Sequence, residues 1–355
     1  MFICLLGCKK EKKQKSEDNE KFVIISSLYK DQSRYSVVWT ETGRKVFTPG
    51  DGFFLGAHIL YPNTEKETLS YYGFLGGKVI FYSNGVKQEL AKTTGKVSLP
   101  FQIGEKITSH IKDEKGNTYI FCDGEFGSGS VIGNTAYYYK ISANGELSVK
   151  AAGNGLPIIA DVGVEYLSAF TNDSYNLLCY YTKEDFSMEA FSFNLINFTK
   201  LRLHHSVATK EKVYFILSTL DGSSKNTGYL LVSLDLKTKQ FKQQKIASDV
   251  LDLRIENSCI FNNTMHLIGS DLTKNAPFHS LIDLTFQSDS QNLIKNNLPV
   301  KASPAFGYVR LIDVNLNGVL IAGYQAGSIY WKNGALNDLD HSGLEPSSPE
   351  FIMSY

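Results

Sequence analysis

Short runs of apolar and aromatic residues alternate along the chain with turns rich in Gly, Asn, Asp and Lys. Strand-like runs return about every 8 to 12 residues, and no segment keeps the period of an amphipathic helix. This pattern predicts an all-β fold, as a sandwich, a barrel or a propeller. A repeat of fixed length would select the propeller.

One unit does repeat, and it consists of an aromatic strand, an Asn-Gly turn and a short strand. It is clearest at Tyr330-Trp331-Lys332-Asn333-Gly334 and at Phe81-Tyr82-Ser83-Asn84-Gly85. Asn-Gly predicts a tight hairpin because both residues accept positive φ. Corresponding positions lie about fifty residues apart, the length of a four-stranded blade. They are Trp39, Tyr82, Tyr139, Phe193, Leu231, Leu281 and Trp331.

The two ends of the repeat array complement each other. Residues 350–355 resemble a first blade strand with nothing after it, and residues 22–28 begin a blade that lacks its first strand. We therefore predict a seven-bladed β-propeller of four-stranded antiparallel blades, with one blade shared between the N- and C-termini. Sharing a blade closes the ring and leaves no open sheet edge.

The start of the chain carries a different signal. Leu5-Leu6-Gly7-Cys8 resembles the bacterial lipobox, and residues 9–21 are polar, with six Lys against four acidic residues. We expect residues 1–8 to be the end of a truncated lipoprotein signal peptide, 9–21 a flexible tether and 22–355 the propeller. Lipidation of Cys8 would anchor the chain, since several acyl chains bind a membrane stably. The expected location is the bacterial cell envelope, at the outer membrane on its periplasmic or surface side.

The repeat also resembles a known group of proteins. Tyr330-Trp331-Lys332-Asn333-Gly334, with Ala322-Gly323-Tyr324 upstream, is similar to a repeat of bacterial surface or periplasmic lipoproteins that form seven-bladed propellers. Two or three blades carry this YWKNG-type repeat well, and the middle blades depart from it. The resemblance implies the fold and the compartment, and it implies no particular activity.

Composition narrows the possible partners. The 36 Lys and Arg balance 36 Asp and Glu, which argues against a nucleic-acid partner held by bulk charge. The five cysteines form no CxxC pair, and the sequence contains no HExxH, GxSxG or Walker motif. We therefore expect no metal and no cofactor, and we expect a monomer.

The candidate site is the central channel, which the first strand of each blade would line. In the predicted first strands a polar residue precedes an apolar one, so a polar ring would face the channel. That ring consists of His58, His110, Ser168, Ser206, Arg254 and Arg310. It has two interpretations: a basic ring that binds a carboxylate or an acidic sugar, or ordinary polar lining of a water-filled channel.

Three functions stay open at this point. The first is a binding or scaffold propeller of the envelope with a protein or glycan partner. The second is an enzyme acting on glycans, a hydrolase or a lyase, which needs two converging carboxylates. The third is a cytosolic protein-interaction propeller, for which the match at Cys8 would be accidental.

Overall fold

The computed structural model describes residues 21–60, 68–75, 78–83, 85–89, 102–113, 115–128, 131–153, 155–160, 163–171, 176–183, 185–194, 200–221, 223–249, 252–301 and 307–355. Within these ranges all regular structure is β-strand. The predicted lipidation site Cys8, the tether up to residue 20 and Asn84 lie outside them. The described part of the chain contains no helix that is long and apolar enough to cross a membrane.

The strands fall into seven sheets, taken here in chain order. Blade 1 begins with β1 (Phe22–Lys30), β2 (Ser33–Thr40) and β3 (Gly43–Phe47). Blade 2 contains β4 (Phe53–Leu60), β5 (Thr68–Leu75), β6 (Lys78–Ser83) and β7 (Val86–Glu89). Blade 3 contains β8 (Gln102–Lys112), β9 (Thr118–Ser128), β10 (Val131–Ile141) and β11 (Leu147–Ala151).

Blade 4 contains β12 (Leu156–Ile159), β13 (Val164–Thr171), β14 (Asn176–Thr182) and β15 (Met188–Asn194). Blade 5 contains β16 (Lys200–Ala208), β17 (Lys212–Leu220), β18 (Asn226–Asp235) and β19 (Phe241–Ala247), with β23 (Ser290–Asn292) added in parallel. Blade 6 contains β20 (Leu253–Phe261), β21 (Thr264–Asp271), β22 (Ala276–Asp283) and β24 (Ile294–Asn297). Blade 7 contains β25 (Tyr308–Asn315), β26 (Gly318–Tyr324), β27 (Ser328–Lys332) and β28 (Ala335–Asp338), and β29 (Pro349–Ser354) returns to blade 1.

The first strands of the blades meet around the centre of the ring. Strand β16 contacts β20, β20 contacts β25, β25 contacts β29, and β29 contacts β4. Strand β29 pairs with β1, with Phe22 opposite Ser354 and Ile25 opposite Phe351. The predicted seven-bladed propeller and the sharing of one blade between the termini are both confirmed.

The hairpin that defines the repeat also forms as predicted. Asn333 and Gly334 have φ values of 50° and 84° and join β27 to β28. Most aromatic repeat positions lie on third strands, but Phe193 lies on β15, the fourth strand of blade 4. The reason is that blade 4 begins with the short strand β12, which the sequence analysis did not identify.

The two tryptophans make the same contact in neighbouring blades. Trp39 Nε1 donates to Asp340 O at 3.1 Å, and Trp331 Nε1 donates to Pro299 O at 2.8 Å. Each indole therefore holds the linker that leads into its own blade. Both side chains are buried, so each adds a large apolar surface to the core.

Apolar side chains fill the spaces between blades, as the aromatic composition predicts. One core cluster joins blades 1 and 2, with Val23 and Val38 facing Phe54 and Ile59. Cys179 is buried in another cluster, and burial raises its thiol pKa to about 12. A thiol in this state acts as a small hydrophobic side chain.

Candidate functional site at the channel mouth

The first strands share a distortion that the sequence analysis did not foresee. In six of the seven blades the pairing of the first with the second strand shifts by one residue, whereas β12 and β13 pair in unbroken register. A β-bulge of this kind re-aims side chains locally. Blade 3 has two such shifts, and the extra residues are Leu55, Ile103, Thr108, His204, Glu256, Arg310 and Glu350.

Glycines on the second strand accommodate three of these bulges, and a Cβ added to Gly73 in blade 2 would lie 1.7 Å from Phe53 O. A Cβ added to Gly269 would lie 2.2 Å from Arg254 O, and one added to Gly323 would lie 2.2 Å from Tyr308 O. No side chain tolerates such a distance, so the close approach of the first strand requires glycine here. Gly323 belongs to the Ala322-Gly323-Tyr324 motif, which gives that motif a physical role.

The bulge residue of each first strand serves as a reference for comparing how far along the channel the predicted ring residues lie. Arg310 is itself a bulge residue, Arg254 precedes its bulge by two positions, and Ser206 follows its bulge by two. The predicted ring therefore does not lie at one level around the channel. The sequence alone does not reveal these two-residue offsets relative to the bulges.

Arg254 and Arg310 are both exposed at the beginning of neighbouring first strands. Arg254 Nε lies 2.7 Å from Glu256 Oε1, and its side chain remains 67% exposed. Arg310 Nη1 donates to Ser348 Oγ at 2.5 Å, across the boundary between blades 7 and 1. We call this end of the channel, where the first strands begin, the channel mouth.

A second ion pair completes this part of the mouth. Glu350 Oε1 accepts a hydrogen bond from Arg34 Nη2 at 2.8 Å, and Glu350 Oε2 accepts one from Ser27 Oγ at 2.8 Å. The Arg34 guanidinium also lies 4.8 Å from the centre of the Phe53 ring, which is a cation–π contact between blades 1 and 2. Neither Arg34 nor Glu350 was a sequence candidate, because neither lies in the polar–apolar pattern used to find the ring.

His58 has a structural position, between blades 2 and 3. It is fully buried, and its Nε2 lies 3.2 Å from Ser142 O while its Nδ1 lies 2.7 Å from Thr118 Oγ1. A carbonyl oxygen only accepts, so Nε2 donates to it and Nδ1 accepts from the Thr118 hydroxyl. Burial lowers the His58 pKa to about 4, so the imidazole is neutral and ties the two blades together.

The remaining candidates are placed as follows. Ser168 lies on β13, the second strand of blade 4, opposite Tyr180, and so not on the first strand. Ser206 is half-buried on β16 opposite Phe215. The His110 backbone pairs with Ile120 on β9, and its side chain lies outside the described part of the structure.

His204 is a further titratable group that the sequence analysis did not assign to the ring. It is the bulge residue of β16, and its Nε2 is buried without a hydrogen-bond partner. Burial lowers its pKa. Among the described residues, no three His, Cys, Asp or Glu side chains converge as metal ligands would.

No protein-family model and no curated protein matches the chain, but solved structures do. A puromycin hydrolase aligns with a TM-score of 0.52 and 10% identity, over 90% of this chain and 52% of that one, so the chain spans about half of it. The periplasmic gluconolactonase of Pseudomonas aeruginosa aligns with a TM-score of 0.42 and 11% identity, over 94% and 98% of the two chains. The propeller domain of the Pyrococcus furiosus trilobed protease gives 0.46 and 9%, over 91% and 92%.

Identities this low show similarity of fold alone. The fold and the site together define a closed seven-bladed β-propeller whose first strands place arginines at one end of the central channel.

Proposed function

We propose that the chain is a binding propeller of the bacterial envelope, which holds an anionic protein or glycan partner at the channel mouth. The observation that carries the proposal is the exposure of Arg254 and Arg310 on adjoining first strands. A guanidinium binds carboxylates through two parallel hydrogen bonds. An acidic sugar or an acidic peptide supplies such a group.

The charge balance of the mouth supports this chemistry. Among the mouth residues described above, three arginines (Arg34, Arg254 and Arg310) stand against Glu256 and Glu350, an excess of 3 − 2 = 1. Arg202, exposed two positions before the β16 bulge as Arg254 is before the β20 bulge, adds a further arginine. The paired carboxylates orient two of the guanidinium groups, and an orientated group loses less conformational freedom when it binds.

Two aromatic rings next to Arg310 extend the surface. Tyr308 and Tyr324 lie opposite each other on β25 and β26, with ring centres 5.7 Å apart. Both side chains are half-buried, so each keeps an accessible part. Aromatic rings beside a charged group provide an apolar contact for the face of a sugar ring or for a peptide side chain.

The position of Lys21, the first residue that the structure describes, fits this presentation. Strand β29 runs from the mouth at Glu350 to Tyr355, which exchanges backbone hydrogen bonds with Lys21 at 2.8 and 3.2 Å. The chain therefore enters the disc at the end opposite the mouth. A lipid anchor at Cys8, which remains a prediction, would leave the mouth facing away from the membrane.

The enzyme alternative receives less support from the geometry. A glycan hydrolase needs one carboxylate to donate a proton and another to act as base or nucleophile. At the mouth, Glu256 is engaged by Arg254, and Glu350 is engaged by both Arg34 and Ser27. These carboxylates orient arginines, which suits a binding site.

The proposal is tested by calorimetric titration of the full chain, carrying Cys8→Ser to prevent lipidation, with oligogalacturonate and with a poly-glutamate peptide. We expect one of these anions to bind, and the double variant Arg254→Ala with Arg310→Ala to weaken binding about 100-fold or more. Lys274→Gln, an exposed lysine at the same end, is the matched control. Equal affinity in the double variant and the parent would refute the proposal.

A further inference from the structure

A second concave surface lies at the opposite end of the disc. It is a cleft of about 770 Å³ where the edges of blades 7, 1 and 2 meet. Its residues come from distant segments: the start of β1, the turn between β2 and β3, strand β5 and the end of β27. Those that matter here are Lys21, Glu41, Lys45, Leu69, Tyr71 and Lys332.

The cleft is rich in cations. Lys21, Arg44, Lys45 and Lys332 line it, against Glu41 in the lining and Asp340, which pairs with Arg44 at 3.2 Å. The charged side chains therefore sum to 4 − 2 = +2. Arg44 is committed to the fold, because it also donates to Ser342 O at 3.2 Å.

Aromatic rings hold Lys45 at the wall of the cleft. The Lys45 Nζ lies 4.6 Å from the centre of the Phe47 ring and 4.9 Å from that of Tyr82. Cation–π contacts of this kind localise the ammonium group without neutralising its charge. Lys21 Nζ lies 5.8 Å from the Tyr355 ring in the same way.

The chemistry of this cleft differs from that of the channel mouth. Its cations are mainly lysines, which act as compact point charges and suit the tetrahedral oxygens of a phosphate. Val38, Leu69 and Tyr71 add an apolar wall. A ligand that matches both features carries a phosphate ester next to an apolar portion.

The segment that precedes Lys21 in the sequence indicates that such a ligand belongs to a membrane. Residues 9–20, which contain five lysines and four acidic residues, lead directly into Lys21 at the cleft. The cleft's excess of two positive charges, with a segment of net charge 5 − 4 = +1 beside it, favours an anionic membrane, at about 1 kcal/mol for each Lys near the surface. We propose that the cleft binds the phosphate headgroup of an anionic phospholipid and so seats the disc on the membrane, an inference that rests on the envelope anchoring proposed above.

The test uses the full chain with Cys8→Ser, so that no acyl chain contributes to binding. Flotation with vesicles of phosphatidylcholine, with and without phosphatidylglycerol, measures the membrane affinity, and calorimetry with glycerol 1-phosphate measures binding of the soluble group. Lys45→Gln combined with Lys332→Gln should weaken binding to the anionic vesicles roughly 25-fold, about fivefold for each lysine. Lys45→Arg with Lys332→Arg should restore most of it.

Lys237→Gln is the matched control, because Lys237 is an exposed lysine in the turn that links the third and fourth strands of blade 5. Unchanged vesicle binding in the Gln double variant, or an equal loss in Lys237→Gln, would overturn the proposal. If the protein bound glycerol 1-phosphate but not vesicles, the cleft would be a site for a soluble phosphate ester, and the membrane proposal would be overturned. The Arg254→Ala and Arg310→Ala variant should still bind vesicles, so the two proposals fail independently.

Discussion

The contact between Gly323 and the first strand of blade 7 allows a quantitative prediction. Replacing Gly323 with Ala places a methyl group 2.2 Å from Tyr308 O, 3.0 Å from Trp331 Cζ3 and 3.1 Å from Val309 Cα. Two of these three atoms are backbone atoms of β25. A side chain therefore cannot rotate away to relieve the overlap, and the strand itself must move.

The size of the effect follows from that displacement. A carbon–oxygen contact is comfortable beyond about 3.2 Å, so β25 must shift by about 1 Å. Such a shift breaks about two backbone hydrogen bonds at about 1 kcal/mol each, with about 1 kcal/mol more for overpacking. With an unfolding entropy of about 0.7 kcal/mol/K for about 330 residues, a loss of 3 kcal/mol lowers Tm by about 4 °C.

Calorimetric melting of Gly323→Ala beside Gly228→Ala tests the argument. A Cβ on Gly228 would meet only Thr219 Oγ1, at an ordinary 3.5 Å. This control should melt at or slightly above the parent temperature, because alanine reduces the freedom of the unfolded chain. Equal Tm values for the two variants would show that the bulge does not depend on the glycine.

Three other predictions follow from buried polar groups. The His58 pKa of about 4 lies below the value near 6.5 in the unfolded chain, so stability falls as the pH drops below 6.5. Between pH 7 and pH 5 the free energy of unfolding in urea should fall by about 2 kcal/mol less in His58→Gln than in the parent. Identical falls in the two proteins would contradict this. Lys295→Met leaves the fully buried Asp271 without the ammonium 2.9 Å away; it should cost about 3 to 5 kcal/mol in urea unfolding, and Asp271→Asn in the same chain should recover part of it. Trp331→Phe removes the donor to Pro299 O and should cost about 2 kcal/mol, while an unchanged melting temperature would show that the linker needs no such hydrogen bond.

The repeat architecture was predictable because its signals are local. The Asn333-Gly334 pair has positive φ at both residues and closes the two-residue hairpin that this dipeptide predicts. Of the seven marker residues, five are aromatic and six lie on third strands. Seven such marks, spaced 38 to 57 residues apart, match the length of a propeller blade and favour a closed ring.

Blade 4 shows where local signals become insufficient. Its first strand, β12, has only four residues, and its fourth strand contains Phe193, an aromatic residue where a third strand was expected. The sequence analysis therefore displaced this blade by one strand and placed Ser168 at the channel. The pairing of the short strand β12 with β13 decides this case, and hydrophobic periodicity does not record it.

The channel mouth was only partly predictable, for a related reason. Arg254 and Arg310 were found because they precede apolar residues on clear strands, but Glu256 and Glu350 were missed. A bulge moves a residue out of the alternation on which a strand argument relies. Glu256 and Glu350 are themselves bulge residues, and Glu256 precedes a polar residue, whereas Arg310, also a bulge residue, was found because the apolar Leu311 follows it.

The bulges of the first strands also explain why the charged side chains lie at the mouth. A regular first strand would point alternate side chains into the spaces between blades, where an unpaired charge is costly. An inserted residue interrupts this alternation, and Arg310 at such a position is exposed while the next residue, Leu311, is half-buried. A glycine on the second strand permits this distortion because it leaves room for the first-strand backbone. Gly269 does so for Arg254 O, and Gly323 does so for Tyr308 O. In blades 6 and 7, a glycine in the second strand of a repeat therefore indicates which first-strand residues reach the channel.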